Sequence, residues 1–211
     1  MLTFTDMNKR GFLLIVSGAS GTGKSTLCNM VVEQYPNITF SVSCTTRKPR
    51  VGEKEGVNYY FKDVSEFKKL IKEDAFFEYA NVYGNYYGTL IRPVLEKIEN
   101  GNSVLLDIDV QGAMSLKKRA LTDSKLPELL ESVFILPPTI EELELRLRSR
   151  ATDSEEVINK RLANAIKEIN HFTEYDYFIV NDDINLAFEK FKLIIESLSF
   201  KTKRINKPKV K

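Results

Sequence analysis

The sequence predicts an α/β protein built on a parallel sheet, and three observations carry that expectation. Short apolar runs recur at 12–16, 38–42, 103–107, 133–136 and 177–180, separated by segments with helical signals. The first run passes directly into Gly18-Ala19-Ser20-Gly21-Thr22-Gly23-Lys24-Ser25, which fits G-x-x-x-x-G-K-[ST] without a mismatch. Between the second and third runs lies a block of about 45 residues, Ser43 to Tyr87, where an ordinary βα loop has roughly 2–6. An inserted subdomain is expected there.

The first strand, Phe12-Leu13-Leu14-Ile15-Val16, is apolar throughout, as a buried strand should be. Glycines in the following turn let successive backbone N–H groups face a polyphosphate, where a Cβ would obstruct them. The N-terminus of the next helix adds unpaired N–H groups and its dipole. Gly18, Ala19, Ser20, Gly21, Thr22, Gly23, Lys24, Ser25 and Thr26 are therefore the expected phosphate-binding residues. Lys24 supplies a mobile positive charge for the β- and γ-phosphates, and the Ser25 hydroxyl is placed to ligate Mg²⁺. The pattern points to Mg-ATP or Mg-GTP. A Gly-rich turn that binds nothing has no need of Lys24 and Ser25 in this register.

Composition narrows the class. With 211 residues, 43% hydrophobic and 28% charged, the chain suits one compact unit or a core with small subdomains. A net charge of +2 gives no argument for nucleic acid. No apolar run approaches the roughly 18 residues of a membrane span. The run behind Lys9 and Arg10 is shorter than the about 7–15 residues of a secretory segment. Two cysteines, Cys28 and Cys44, make no disulfide framework, so a cytoplasmic location is expected. Cys28 reads as small core filler and the single histidine, His171, as a surface or packing residue.

The remaining elements follow in order. The first helix, from about Lys24, should stop near Tyr35-Pro36-Asn37. Ile38 to Val42 is a short strand. In the inserted block, Ser43 to Arg50 is basic, 51–56 is a loop and 57–61 is β-like. Residues 63–74 form a helix by the stripe Val64, Phe67, Leu70 and Ile71. Residues 76–80 and 81–83 read as two short strands, and 85–89 as a loop crowded with hydroxyls. A helix opens at Pro93 and closes at Gly101. Ser103 to Asp107 is a strand ending on an acid, like the second acidic motif of P-loop enzymes, although an ordinary strand-end Asp remains an alternative. Residues 113–120 are helical, and 121–131 read as a loop extension. Val133 to Leu136 is stopped by Pro137-Pro138. Thr139-Ile140-Glu141-Glu142 is a capping box for a helix carrying Arg146, Arg148 and Arg150. Asp153 to Glu156 caps another helix that continues towards His171. Tyr177 to Val180 is the last strand, and 184–198 an amphipathic helix. The basic tail, Lys201 to Lys211, is expected to be disordered and dispensable for catalysis, and residues 1–10 a loose lead-in.

Arg47 and Arg50, with Tyr59 and Tyr87, are residue types that hold a phosphate: guanidinium forks beside phenol hydroxyls. By charge alone, a solvated basic loop reads equally well. The surrounding motifs break the tie. SCTTRKPRVGE at 43–53, GNYYGT at 84–89, LDIDVQG at 106–112 and RLRSRATDSEEVINKRL at 146–162 resemble the guanylate kinase family. The resemblance covers about Phe12 to Ile195. It implies a P-loop nucleoside monophosphate kinase fold, with a core of 1–42, 88–138 and 164–200, a GMP-binding subdomain at 43–87 and a helical lid at 139–163. It implies transfer of the γ-phosphoryl group of ATP to GMP (or dGMP) with Mg²⁺, in purine nucleotide metabolism. Neither nucleic acid nor a membrane is implied as a partner, and a homodimer is compatible with it.

Residue by residue, the resemblance implies that Ser43, Glu78 and Thr89 face the guanine, with Asp109 nearby. Arg47, Arg50, Tyr59 and Tyr87 would hold the GMP phosphate. Lys24, Arg146, Arg150 and Arg161 would surround the transferring group. Asp107 would act on Mg²⁺ through water, and Asn181 would sit at the adenine end. The chemistry agrees with these roles. A carboxylate such as Glu78 accepts from guanine N1–H and the 2-amino group, a donor pair adenine lacks. The accepting oxygen belongs to an ionised phosphate, so no general base is expected. The chain departs from the family pattern at Ala19, where many members have Pro, at Ala151, where Gly is usual, and in a longer 121–131 stretch. Two rival readings are weaker. A scaffold module of the same shape would not keep Lys24 and Ser25, and a sugar-phosphate kinase would not need Ser43 and Glu78.

Overall fold

Strand β1 (Leu13–Ser17), buried along its whole length, is the middle strand of a five-stranded parallel sheet in this computed structural model, which describes residues 9–82, 84–149 and 154–205. Its neighbours are β7 (Ser103–Asp107) and β8 (Leu130–Leu136), with β2 (Ile38–Phe40) and β9 (Tyr177–Val180) at the edges. Helices cover both faces, which is why β1 is apolar at four successive positions, Leu13 to Val16, rather than at alternate ones. Leu14 and Val16 pack against α1 (Lys24–Gln34) and α8 (Ile184–Leu198), through Leu27, Val31, Phe191 and Ile195. Leu13 and Ile15 face α3 (Ile91–Glu99) and α4 (Val110–Ala120), through Val94, Ile98, Ala113 and Leu116. Val16 pairs with Asp107, and Ser17 with Phe134, so the carboxyl ends of β1, β7 and β8 arrive together. Crevices at that end are where open parallel sheets bind ligands. Cys28 lies fully buried in this core, and burial pushes its thiol up to about 12, as befits a packing residue. Among the described residues, no helix is long and apolar enough to cross a membrane.

The inserted block forms a second sheet in the order β4 (Tyr60–Phe61), β3 (Cys44–Thr45), β6 (Asn85–Leu90), β5 (Phe76–Val82). Its helix, α2 (Val64–Lys72), starts with a complete capping box between Asp63 and Glu66. Cys44, Phe67 and Phe76 make a small core of their own, with the two phenylalanine rings stacked at 4.4 Å. Two expectations are corrected here. Residues 85–89 are not a loop. They pair with β5 on one side and β3 on the other, and their hydroxyls decorate a strand. The 57–61 strand shrinks to Tyr60–Phe61, because Val57 and Asn58 donate back to the Lys54 carbonyl in a turn. β6 also runs on to Leu90, past the expected subdomain boundary at Tyr87.

The 121–131 stretch is not a bare loop either. Asp123 Oδ1 accepts from the N–H groups of Lys125 and Leu126, opening a four-residue helix, α5 (Leu126–Leu129), whose two leucines are buried. One helical turn is too short to show a period in sequence. Helices α6 (Ile140–Arg148) and α7 (Glu155–Ile169) form the expected lid pair, although α7 extends beyond residue 163. Arg148 ties them, pairing with Glu144 at 2.8 Å and Glu155 at 2.5 Å. Arg150 and Ala151 lie outside the described residues.

The start of the tail differs most from expectation. Residues 202–204 form a 3₁₀ turn, and Lys9 and Ile205 form an antiparallel bridge. Arg204, 3% exposed, pairs with the equally buried Glu131, which Lys201 and Lys203 also reach at 2.6 and 3.2 Å. The basic residues of 201–205 therefore serve packing, not solvation.

Candidate active site at the carboxyl ends of the sheet

The turn from β1 into α1 depends on two glycines. Gly21 and Gly23 have φ of 95° and 84°, the left-handed region that side chains resist. A Cβ would also crowd its neighbours. At position 23 it would sit 2.3 Å from Asn181 Nδ2, and at position 21 it would sit 3.0 Å from Leu143 Cδ1 on α6. The loop is braced from both sides: Asn181 Nδ2 donates to the Thr22 carbonyl at 2.7 Å, and Thr22 Oγ1 to the Ala19 carbonyl at 2.9 Å. Ala19 is buried against Leu143, Leu147 and Ala165, so the root of the lid rests on the phosphate loop. α1 begins without a capping side chain or an acid in its first turn, leaving its N–H groups for an anion.

That loop lines a cleft of about 380 Å³, whose opposite wall is Asp107, Ile108, Asp109 and Glu168. Gly18, Ser20, Lys24, Ser25 and Thr26 all face it, whereas Thr22 is buried behind it. The pairing of Val16 with Asp107 carries the Asp107 carboxylate to Lys24, with which it forms an ion pair, and to the Ser25 hydroxyl, which donates to it at 3.3 Å. Burial pulls the Lys24 ammonium below its ordinary value, against the opposing pull of Asp109 and Glu168. Three residues chosen from two distant motifs thus meet. Their oxygen donors suit Mg²⁺, a hard ion that keeps most of its waters and arrives on nucleotide phosphates. Among the described residues no group of three or more acidic, His or Cys side chains could hold a metal unaided.

A second cleft, of about 420 Å³, shares the wall Asp107, Ile108 and Asp109 and is completed by Ser43, Glu78 and Tyr87. Glu78 accepts from Thr89 Oγ1 at 2.7 Å. Burial pushes the Glu78 carboxyl above the usual carboxylate range; the Thr89 hydroxyl opposes this and the negative charge of Asp109 adds to it. Asp109 itself caps α4, accepting from the Gly112 N–H at 2.8 Å. At Gly112 a Cβ would lie 3.6 Å from Glu78 Oε2, so the start of α4 passes close to that carboxylate.

Beside this cleft the structure gathers three of the four expected phosphate-holding residues. The Arg47 guanidinium lies over the Tyr59 ring at 5.2 Å, and the Tyr59 and Tyr87 rings meet edge-on at 6.2 Å. The Arg50 side chain is exposed. Of the expected lid arginines, Arg146 and Arg161 are not at the cleft walls. Arg146 donates to Glu142 Oε1 at 2.9 Å and to the Asn181 carbonyl at 3.1 Å, and Arg161 is exposed on α7. Asn181 is 4% exposed, its amide donating to the loop backbone. Two acids escaped the sequence reading. Glu53 holds Arg47, and Glu168 lines the first cleft. Glu53 closes a quoted motif, and an acid amid bases was the available signal. Glu168 follows Arg161 by seven residues, hence on the same helix face.

The comparisons with known proteins agree with this geometry. The profile of the family described as "Guanylate kinase" matches residues 10–198. The chain is 47% identical to the guanylate kinase of Caldanaerobacter subterraneus subsp. tengcongensis over 189 residues, covering 90% of this chain and 88% of that protein. It is 48% identical to the guanylate kinase of Maricaulis maris over 196 residues, 93% of this chain and 87% of the relative. The crystal structure of guanylate kinase from Anaplasma phagocytophilum superposes with a TM-score of 0.69 at 37% identity, covering 94% of this chain and 92% of that one. With its phosphate loop, its second cleft and these matches along nearly its whole length, the chain belongs to the guanylate kinase family.

Proposed function

We propose that this ATP:GMP phosphotransferase holds the ATP phosphates in the first cleft and GMP in the second, and transfers the γ-phosphoryl group in line across their common wall. The carrying observation is that wall: Asp107, Ile108 and Asp109 border both clefts, so donor and acceptor would lie side by side. Gly18 to Thr26 would wrap the donor phosphates, with Asn181 setting the loop's shape through Thr22 from the adenine end. Lys24 would exchange Asp107 for the β- and γ-phosphates. A buried ammonium gains more from that anion than an exposed one does. Ser25, directly, and Asp107, through water, would hold Mg²⁺. The ion supplies charge neutralisation at the phosphate oxygens.

On the acceptor side, Arg47, Arg50, Tyr59 and Tyr87 would hold the GMP phosphate. Ser43, Glu78, Thr89 and Asp109 would read the guanine, and the Glu78 carboxylate would take the base's two donors. The acceptor oxygen is already ionised, so positioning and charge neutralisation suffice, and no side chain need remove a proton. Arg146, Arg150 and Arg161 would reach the transferring group on lid closure, with Arg146 giving up Glu142 and the Asn181 carbonyl. Closure would also keep water from the γ-phosphate.

Glu78→Gln tests the acceptor assignment. A carboxylate is acceptor-only, whereas the amide turns an NH₂ towards one guanine donor. The change should cost about 1–3 kcal/mol, read as a fall of about 5–150-fold in kcat/KM for GMP with little change for ATP. Because burial raises Glu78 and guanine needs it ionised, GMP binding should weaken as pH falls through the raised value. The Glu78→Gln variant should lose that part of the pH dependence. Steady-state kinetics within about twofold of wild type for GMP, below about 0.5 kcal/mol, would remove Glu78 from base reading.

A further inference from the structure

We infer that Glu53 is a positioning residue for capture of the acceptor phosphate: its carboxylate fixes the Arg47 guanidinium and the Arg50 backbone in one arrangement before GMP arrives. The inference rests on the reading that Arg47 and Arg50 hold that phosphate. Glu53 Oε1 accepts from Arg47 Nη2 at 2.8 Å, and Oε2 accepts from the Arg50 N–H at 2.7 Å. The Glu53 N–H returns a bond to the Arg50 carbonyl at 3.1 Å, closing a tight turn across Gly52, whose φ is 88°. One carboxylate therefore spans both arginines of the RKPR motif. The Arg47 and Glu53 side chains are 16% and 18% exposed, unusually low for a charged pair on a polar loop.

The fork is fixed on its other sides as well. Arg47 Nη1 donates to the Lys48 carbonyl at 2.8 Å, and the guanidinium plane lies over Tyr59. A guanidinium carries five N–H donors, so these two bonds leave others for a phosphate. Without Glu53 the long Arg47 side chain would sample many rotamers, and GMP binding would have to order it. An acid beside an anion site also repels the anion, so the sign of the effect depends on which contribution wins. Here both carboxylate oxygens are turned onto loop donors, so ordering should win. The bonds from Arg47 and the Arg50 N–H hold the Glu53 carboxyl below its ordinary value, keeping it ionised at neutral pH.

Kinetics of the full-length protein test this with Glu53→Gln, Arg47→Gln and the double variant. The readouts are KM for GMP, KM for ATP, and the inhibition constant of guanosine, which carries the base but no phosphate. Glu53→Gln should raise KM for GMP about tenfold while ATP and guanosine stay within about twofold. Added to Arg47→Gln, the same change should cost less than about threefold, because its main target is already gone. Three results would overturn the inference while the phosphate assignment stands. A lower or unchanged KM for GMP makes Glu53 a competitor or a bystander. An equal loss of guanosine affinity makes it a general support of the subdomain. A full tenfold loss in the Arg47→Gln background makes it independent of Arg47. If Arg47→Gln alone leaves KM for GMP unchanged, the phosphate assignment itself falls, and the inference falls with it.

Discussion

Lys24→Ala should lower kcat by at least about 100-fold while the protein stays folded. A single preorganised donor aimed at developing negative charge is worth about 2.7–4 kcal/mol, and a charged donor at least as much. Lys24 is the residue of the first cleft that can supply it: its ammonium lies against the phosphate loop, 17% exposed and ion-paired with Asp107. The fold should survive because that ammonium is itself held at a desolvation cost. Asp107 is 27% exposed, keeps the Ser25 hydroxyl and can be reached by water. KM for GMP should change little, since Lys24 does not border the acceptor cleft. Single-turnover transfer from ATP checks the rate, and a thermal melt checks the fold. Near-normal turnover in a folded variant would remove the first cleft from the chemistry.

Truncation after Phe200 should be the most destabilising change outside the sheet core. It deletes Lys201, Lys203 and Arg204, the three cations around Glu131, and leaves a carboxylate that is 2% exposed without a charged partner from the tail. Breaking one side of a buried pair costs about 3–5 kcal/mol. The 3₁₀ turn, its bond from Arg204 Nη1 to the Leu198 carbonyl at 2.7 Å and the Lys9–Ile205 bridge go with it. For a chain of this size Tm should fall by about 6–20 °C. Turnover at low temperature should persist. Glu131 pairs with Leu14 near the start of β1, whereas the phosphate loop leaves the other end. A truncated protein melting within about 1 °C of the full chain would contradict this role of the tail.

That tail shows where the sequence was hard to read and why. Its lysines and arginine look like a solvated run, because the partner that buries them, Glu131, lies some 70 residues earlier at the head of β8. Long-range pairing leaves no local period. The same limit hid α5, held by two bonds to Asp123 and two buried leucines, and it turned the strand at 85–90 into a loop. In that strand, Tyr86 is half-buried through stacking on Phe67 at 5.3 Å, a contact that no alternation in GNYYGT announces. By contrast, the β1–loop–α1 unit was fully legible. Its glycines, Lys24 and Ser25 are each demanded by local backbone shape or by phosphate chemistry, and φ at Gly21 and Gly23 is positive as those demands require. Asp107 was legible as an acid closing a strand, and the register of β7 against β1 delivers it to Lys24. Asn181 was chosen for a nucleotide contact. Its buried amide braces the Thr22 carbonyl, a contact that composition does not reveal.

Initial rates with GMP, AMP, CMP and UMP as acceptors, at saturating Mg-ATP and with the products identified, test the account most directly. The two-cleft arrangement, with the half-buried Glu78 lining the second cleft, predicts GDP and ADP in equal amounts and rates for the other three lower by at least about 100-fold. Comparable rates with AMP or a pyrimidine nucleotide, or ADP formed without any phosphorylated acceptor, would contradict it.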